Sequence, residues 1–127
     1  MSKLIPPTQT KTYKSINAQI TKWVYDNSIL YVNNGNWYAG ITNDLNRRKI
    51  EHTVKQKDKL WCWKCWDAKS LRIANALENS LSRRGFLNAP FKGGAISTSK
   101  YIYVYKKFAS GLEKKLINTV VYFFINH

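Results

Sequence analysis

Tyr38, Arg48 and His52 stand at fixed offsets in the segment YAGITNDLNRRKIEHT, residues 38–53. Arg48 and His52 are four apart, so on a helix they share one face, a turn from each other. A guanidinium offers a planar fork suited to phosphate oxygens, and an imidazole exchanges protons near neutral pH. A tyrosine hydroxyl can hydrogen-bond a phosphate or an attacking water. The alternative is a solvated basic helix beside a partly buried tyrosine, since charged helix faces are usually just exposed. Glu78 adds weight to the chemical reading. Leu71, Ala74, Leu77 and Leu81 form an apolar stripe, and Glu78 falls roughly 20° from Leu71 and roughly 40° from Ala74 at about 100° per residue. A carboxylate at the margin of a buried face is costly unless compensated. Either it pairs with an arginine such as Arg48, or it binds a divalent metal. With seven Asp and Glu in the whole chain, a multi-carboxylate two-metal cluster is not expected. One Mg²⁺ held by one glutamate and waters is the simpler design.

These residues need elements to carry them. Residues 1–16, with two prolines and scattered lysines, read as a basic extended arm ahead of a single domain over 17–127. Strand-like runs flank NNGN at 33–36, where Asn34-Gly35 signals a hairpin. Residues 43–58 read as a helix capped by Asn43 or Asp44. KLWCWKCW is strand-like, and the helix after it is opened by Asp67 and closed by Gly85. After the loop NAPFKGG, YIYVYKKF alternates like a last strand, and a terminal helix over about 111–126 follows Ser110. The order β-β-α-β-α-β-α predicts a small mixed α/β layer fold.

Composition narrows the partners. The 127 residues, 44% hydrophobic with five tryptophans, suffice for a core without disulfides. Twenty-one Lys and Arg against seven Asp and Glu leave a formal charge of +14. Nucleic acid is the default partner of such a field, and an anionic membrane surface is the competing one. No apolar leader follows the N-terminus, and LINTVVYFFI at 116–125 is too short to span a bilayer. Two cysteines suit free thiols in a reducing compartment, so a cytoplasmic protein is expected. CWKC at 62–65 has redox or zinc spacing, but residues three apart on a strand point to opposite faces and there is no second pair. Trp61, Trp63 and Trp66 fit a core better than a base-stacking platform. The scattered Lys/Arg tracts together predict steep salt dependence of polyanion binding.

YAG (38–40), TNDLNRRKIEH (42–52) and ANALENSL (74–81) resemble the GIY-YIG nuclease superfamily, over roughly residues 22–105. Asp44-Leu45, Arg48 and His52 match its DLxxRxxxH spacing without a gap. Glu78 stands where the family's metal-binding glutamate would, and Asn88, ahead of Gly93-Gly94, is similar to its later asparagine. The family's first motif sets a tyrosine on the preceding strand, where this chain has Asn27 and Ser28. Tyr25 fills that role with a longer hairpin, or Tyr31 with a shorter one. The resemblance implies a mainly antiparallel central sheet flanked by helices and hydrolysis of a phosphodiester. One Mg²⁺ (or Mn²⁺) would sit on Glu78, Arg48 would clamp a phosphate oxygen, and Tyr38 would take a proton from water with His52 assisting. Arg47, Lys49 and Lys92 would contact nucleic acid, DNA ahead of RNA, while Gly40 and Asn88 support the site. A homodimer could cut both strands. The alternative is an inactive nucleic-acid-binding module on the same scaffold; a basic adaptor for a polyanionic partner is a third reading.

Overall fold

The computed structural model describes residues 5–29, 31–88 and 97–108. The expected C-terminal helix, the arm's first residues and Lys92 lie outside these. Among the described residues the chain is a mixed α/β fold of three helices around a three-stranded antiparallel sheet. In chain order these are α1 (Lys11–Asp26), β1 (Trp37–Thr42), α2 (Leu45–Ile50), β2 (Trp61–Asp67), α3 (Leu71–Arg83) and β3 (Tyr101–Lys106).

The largest departure from expectation is at the N-terminal end. Residues 11–16 are helical rather than an extended arm, and the expected first strand is the second half of α1. Thr10 caps the helix, its side chain accepting from Tyr13 N at 3.1 Å. Tyr13, Ile16, Ile20 and Val24 then recur with helical period and are all buried. The β-branched and aromatic run Trp23-Val24-Tyr25 looks strand-like locally, but burial of that single stripe overrides local propensity. The hairpin disappears with the strand. Asn34–Asn36 is one turn of 3-10 helix leading from α1 to β1, closed by Gly35 N donating to the Asn33 side chain at 3.0 Å.

The strand order is β1-β3-β2, so the last strand is central and pairs antiparallel with both neighbours. Trp37, Ala39, Ile102, Val104 and Trp66 share one core cluster with the buried stripes of α1 and α3. Tyr38, Tyr103 and Tyr105 form a second cluster with Leu45, Trp63 and Cys65, as period-two alternation requires. Cys62 packs with the first cluster and Cys65 with the second. Ser70, not Asp67, caps α3, accepting from Ile73 N at 3.2 Å; Asp67 ends β2. Gly85, at φ 100°, closes α3 in the left-handed region as expected. No helix among the described residues is long and apolar enough to cross a membrane.

Candidate active site

The second aromatic cluster is where the chemistry-bearing side chains meet. β1 delivers Tyr38, and the chain turns at once into α2. The buried Thr42 hydroxyl accepts from Asp44 N at 3.0 Å, and the Asp44 carboxylate caps α2 by accepting from Arg47 N at 3.0 Å. Arg48 and His52 are thereby projected over the tyrosine face of the sheet. The helix does not continue regularly to residue 58, as expected from its sequence. It widens into a π turn at Glu51–Lys55, a local insertion common at functional sites. His52 sits in that turn with no solvent exposure.

Arg48 and His52 converge on one hydroxyl. Arg48 Nε donates to Tyr103 Oη at 3.1 Å, and His52 Nε2 lies 2.9 Å from the same oxygen. Tyr38 stacks beside them, its ring centre 6.2 Å from that of Tyr103, close enough for the Arg48 charge to bear on its phenol. Its ring meets His52 edge-on at 4.9 Å and lies near-parallel to Tyr105 at 5.2 Å. Trp63 stacks on Tyr103 at 4.7 Å, with Lys49 Nζ 5.1 Å from the Trp63 ring centre. Arg48 is braced by Glu51, Nη1 to Oε2 at 2.6 Å, and Glu51 also takes Arg47 at 3.3 Å. Behind His52, Nδ1 lies 3.0 Å from Tyr105 Oη and 3.2 Å from Gln56 Oε1, and Tyr105 donates to Asp58 Oδ2 at 2.6 Å.

Burial sets the protonation states. It raises the Tyr38 phenol; Glu78 adds to the rise and Arg48 opposes it. Burial also raises Tyr103, assisted by Tyr38 and opposed by Arg48, and it raises Tyr105 together with the Asp58 carboxylate. His52 is lowered by burial and by the Arg48 charge, so its ring is neutral near pH 7. Burial works against the charge on Arg48, but Tyr103 and Glu51 outweigh it and the guanidinium stays ionised.

Tyr38, Arg48 and His52 therefore come together, and Gly40 supports them. It pairs with Tyr103 across the strands, and a β-carbon there would overlap the Tyr103 hydroxyl and Cζ. Asn88 follows Leu87, which bridges Tyr38 on the outer edge of β1, with Ala39 N donating to Leu87 O at 2.9 Å. Tyr25 is not in the site. It lies in the last turn of α1, on the opposite face of the sheet, and is 70% exposed; Tyr31 is exposed as well. The second phenol beside Tyr38 is Tyr103, from a strand that follows β1 in the chain instead of preceding it. Tyr105, Asp58, Gln56 and Glu51 were not anticipated either. The alternation of tyrosines in YIYVY was the available signal, since residues two apart on a strand share a face.

Glu78 is half-buried on α3 and close enough to bear on Tyr38. Among the described residues no group of three or more His, Cys, Asp and Glu side chains could hold a metal. A single carboxylate fits a hard cation that keeps most of its waters, as Mg²⁺ does, and does not fit a dehydrated protein cage. Comparison with protein-family models, with curated proteins and with solved structures finds no match.

Proposed function

We propose that this chain is a metal-dependent endonuclease that hydrolyses phosphodiester bonds in nucleic acid, DNA ahead of RNA. The observation that carries the reading is the meeting of Arg48 Nε and His52 Nε2 on the Tyr103 hydroxyl, with the Tyr38 ring stacked beside it. A buried phenol needs a reason to shed its proton at neutral pH, and a fixed cation plus a neutral imidazole supply one. The chain order of the strands differs from the one the resemblance implies, yet β3 brings a tyrosine to the side of β1 where a GIY-YIG nuclease would carry its first. That juxtaposition supports the family reading, as does the net charge of +14.

In the proposed reaction an attacking water gives a proton to the tyrosine pair while the Tyr103 proton passes to His52. The water oxygen bonds to phosphorus and the leaving sugar oxygen departs, taking a proton from the imidazolium or from solvent. Arg48, held by Glu51, stabilises first the phenolate and then the negative charge that builds on the phosphate. Mg²⁺ on Glu78 and waters would supply further stabilisation of charge on the phosphate and the leaving oxygen. Arg47 and Lys49, beside Arg48, hold the phosphate backbone near the site.

A non-hydrolytic nucleic-acid-binding module is the second reading. It is favoured by the burial of the two phenols, Tyr103 at 0% and Tyr38 at 4% exposure. Supercoiled plasmid incubated in Mg²⁺ or EDTA with wild type and Glu78→Ala separates the two. Mg²⁺-dependent nicked or linear product that the variant does not make supports hydrolysis. Tight, salt-sensitive binding with plasmid, RNA and branched DNA all left intact selects the binding module.

A further inference from the structure

We infer that Asp58 and Tyr105 are positioning residues that hold the proton of the neutral His52 ring on Nδ1, leaving Nε2 bare to receive the Tyr103 proton. The inference deepens the proposed hydrolysis and rests on it for its catalytic meaning, but its structural content stands apart.

The neighbours of the two ring nitrogens decide the matter. Nδ1 faces Tyr105 Oη at 3.0 Å, Gln56 Oε1 at 3.2 Å and Asp58 Oδ2 at 3.5 Å. A carboxylate only accepts. Tyr105 has one hydroxyl hydrogen, and it is committed to Asp58 at 2.6 Å, so its oxygen meets Nδ1 as an acceptor too. Gln56 presents its carbonyl oxygen. With acceptors on every side of Nδ1, the single hydrogen of a neutral imidazole belongs there. Nε2 faces Tyr103 Oη at 2.9 Å. That oxygen already receives Arg48 Nε–H, which cannot accept, so the Tyr103 hydrogen turns to Nε2. The result is a directed chain from Tyr103 through His52 to the Asp58–Tyr105 pair.

The backbone is bent to make this possible. Asp58 lies in a turn whose Lys57 (φ 56°) and Leu60 (φ 45°) adopt the left-handed region, a conformation unfavourable for side chains of this size. Asp58 N closes the turn onto His52 O at 2.9 Å. The Asp58 side chain is only 9% exposed, with Lys107 Nζ 3.8 Å away. Among the described residues, the charged and titratable groups around His52 are Arg48, Asp58 and the phenols of Tyr38, Tyr103 and Tyr105, with Glu51 paired to Arg48 and Lys107 to Asp58.

The test is long-range ¹H–¹⁵N NMR of the labelled full chain, which separates Nδ1–H from Nε2–H imidazole. The chain has two histidines, and a His52→Gln spectrum assigns the signals. Wild type is expected as Nδ1–H. Gln56→Ala should keep that form, because Asp58 and Tyr105 remain. Asp58→Asn, whose amide can donate to Nδ1, should move the ring to Nε2–H and lower plasmid cleavage by about 10⁴-fold. An Nε2–H wild type, an unchanged tautomer in Asp58→Asn, or a switch in Gln56→Ala overturns the inference. If Asp58→Asn does not fold, wild type and Gln56→Ala still decide it. A wild type that holds Nδ1–H but cleaves nothing sinks the hydrolytic reading and leaves the tautomer assignment standing.

Discussion

Gly40 and Tyr103 face each other across β1 and β3, and the Tyr103 phenol fills the space that a β-carbon at Gly40 would occupy. The ring cannot retreat easily. It is fully buried, stacked on Trp63, and tied through its hydroxyl to Arg48 and His52. Gly40→Ala is therefore expected to cost about 1–3 kcal/mol by overpacking and to displace the phenol. Urea denaturation would read the first effect and plasmid cleavage the second. Unchanged stability would mean that the ring packs elsewhere.

The tyrosines divide by place. Tyr103→Phe removes the hydroxyl on which Arg48 and His52 converge, and cleavage should fall about 10²–10⁴-fold, the usual worth of a general base. Tyr38→Phe should also slow cleavage, by a smaller factor. Tyr25→Phe, on the far face of the sheet and exposed, should leave the rate unaltered. Rates of plasmid nicking under single-turnover conditions rank the three, and an inactive Tyr25→Phe would contradict the site drawn here.

The depressed His52 sets a pH dependence with a definite sign. Above about pH 6.5 the ring is neutral in folded and unfolded chains alike, and its contribution to stability is fully present. As pH falls from there toward the lowered folded value, the unfolded chain binds a proton that the folded one does not. Stability then drops with falling pH, with a limiting slope of about 1.4 kcal/mol per unit. Glu51 and Asp67 are held below the ordinary carboxylate range and act at lower pH. Unfolding midpoints in urea between pH 5 and 7.5 should show the slope in wild type and lose it in His52→Gln. Cleavage should fall only further down, as pH passes through the lowered folded value, because His52 of the folded chain takes up a proton there and can no longer accept the one from Tyr103.

Glu78→Gln keeps the shape of the side chain and removes the charge. Cleavage in Mg²⁺ should drop to the level of wild type in EDTA, while plasmid binding in a gel-shift assay is retained. Metal-dependent product from Glu78→Gln would end the metal role assigned to that residue.

How much of this was legible in the chain depends on the range of the interaction. Asp44 caps α2, Gly85 ends α3, Ala74, Leu77 and Leu81 bury one stripe, and Arg48 and His52 follow Tyr38 onto one side of the sheet. Each of these is decided within a turn or two of backbone, so residue type and spacing suffice. Helix α1 was legible in principle through Tyr13, Ile16, Ile20 and Val24, but its β-branched and aromatic residues imitate a strand.

Strand pairing is different in kind. That β3 inserts between β1 and β2, rather than joining a hairpin ahead of β1, is settled by which arrangement buries most apolar surface in register. Such a choice is made between segments some sixty residues apart and leaves no mark in local spacing. The identity of the second phenol follows from that insertion alone. Asp58 and Tyr105 reach His52 only because a strained turn and the central strand close on the same side chain. Short-range geometry thus named Tyr38, Arg48 and His52, and long-range packing chose Tyr103 as the oxygen on which they meet.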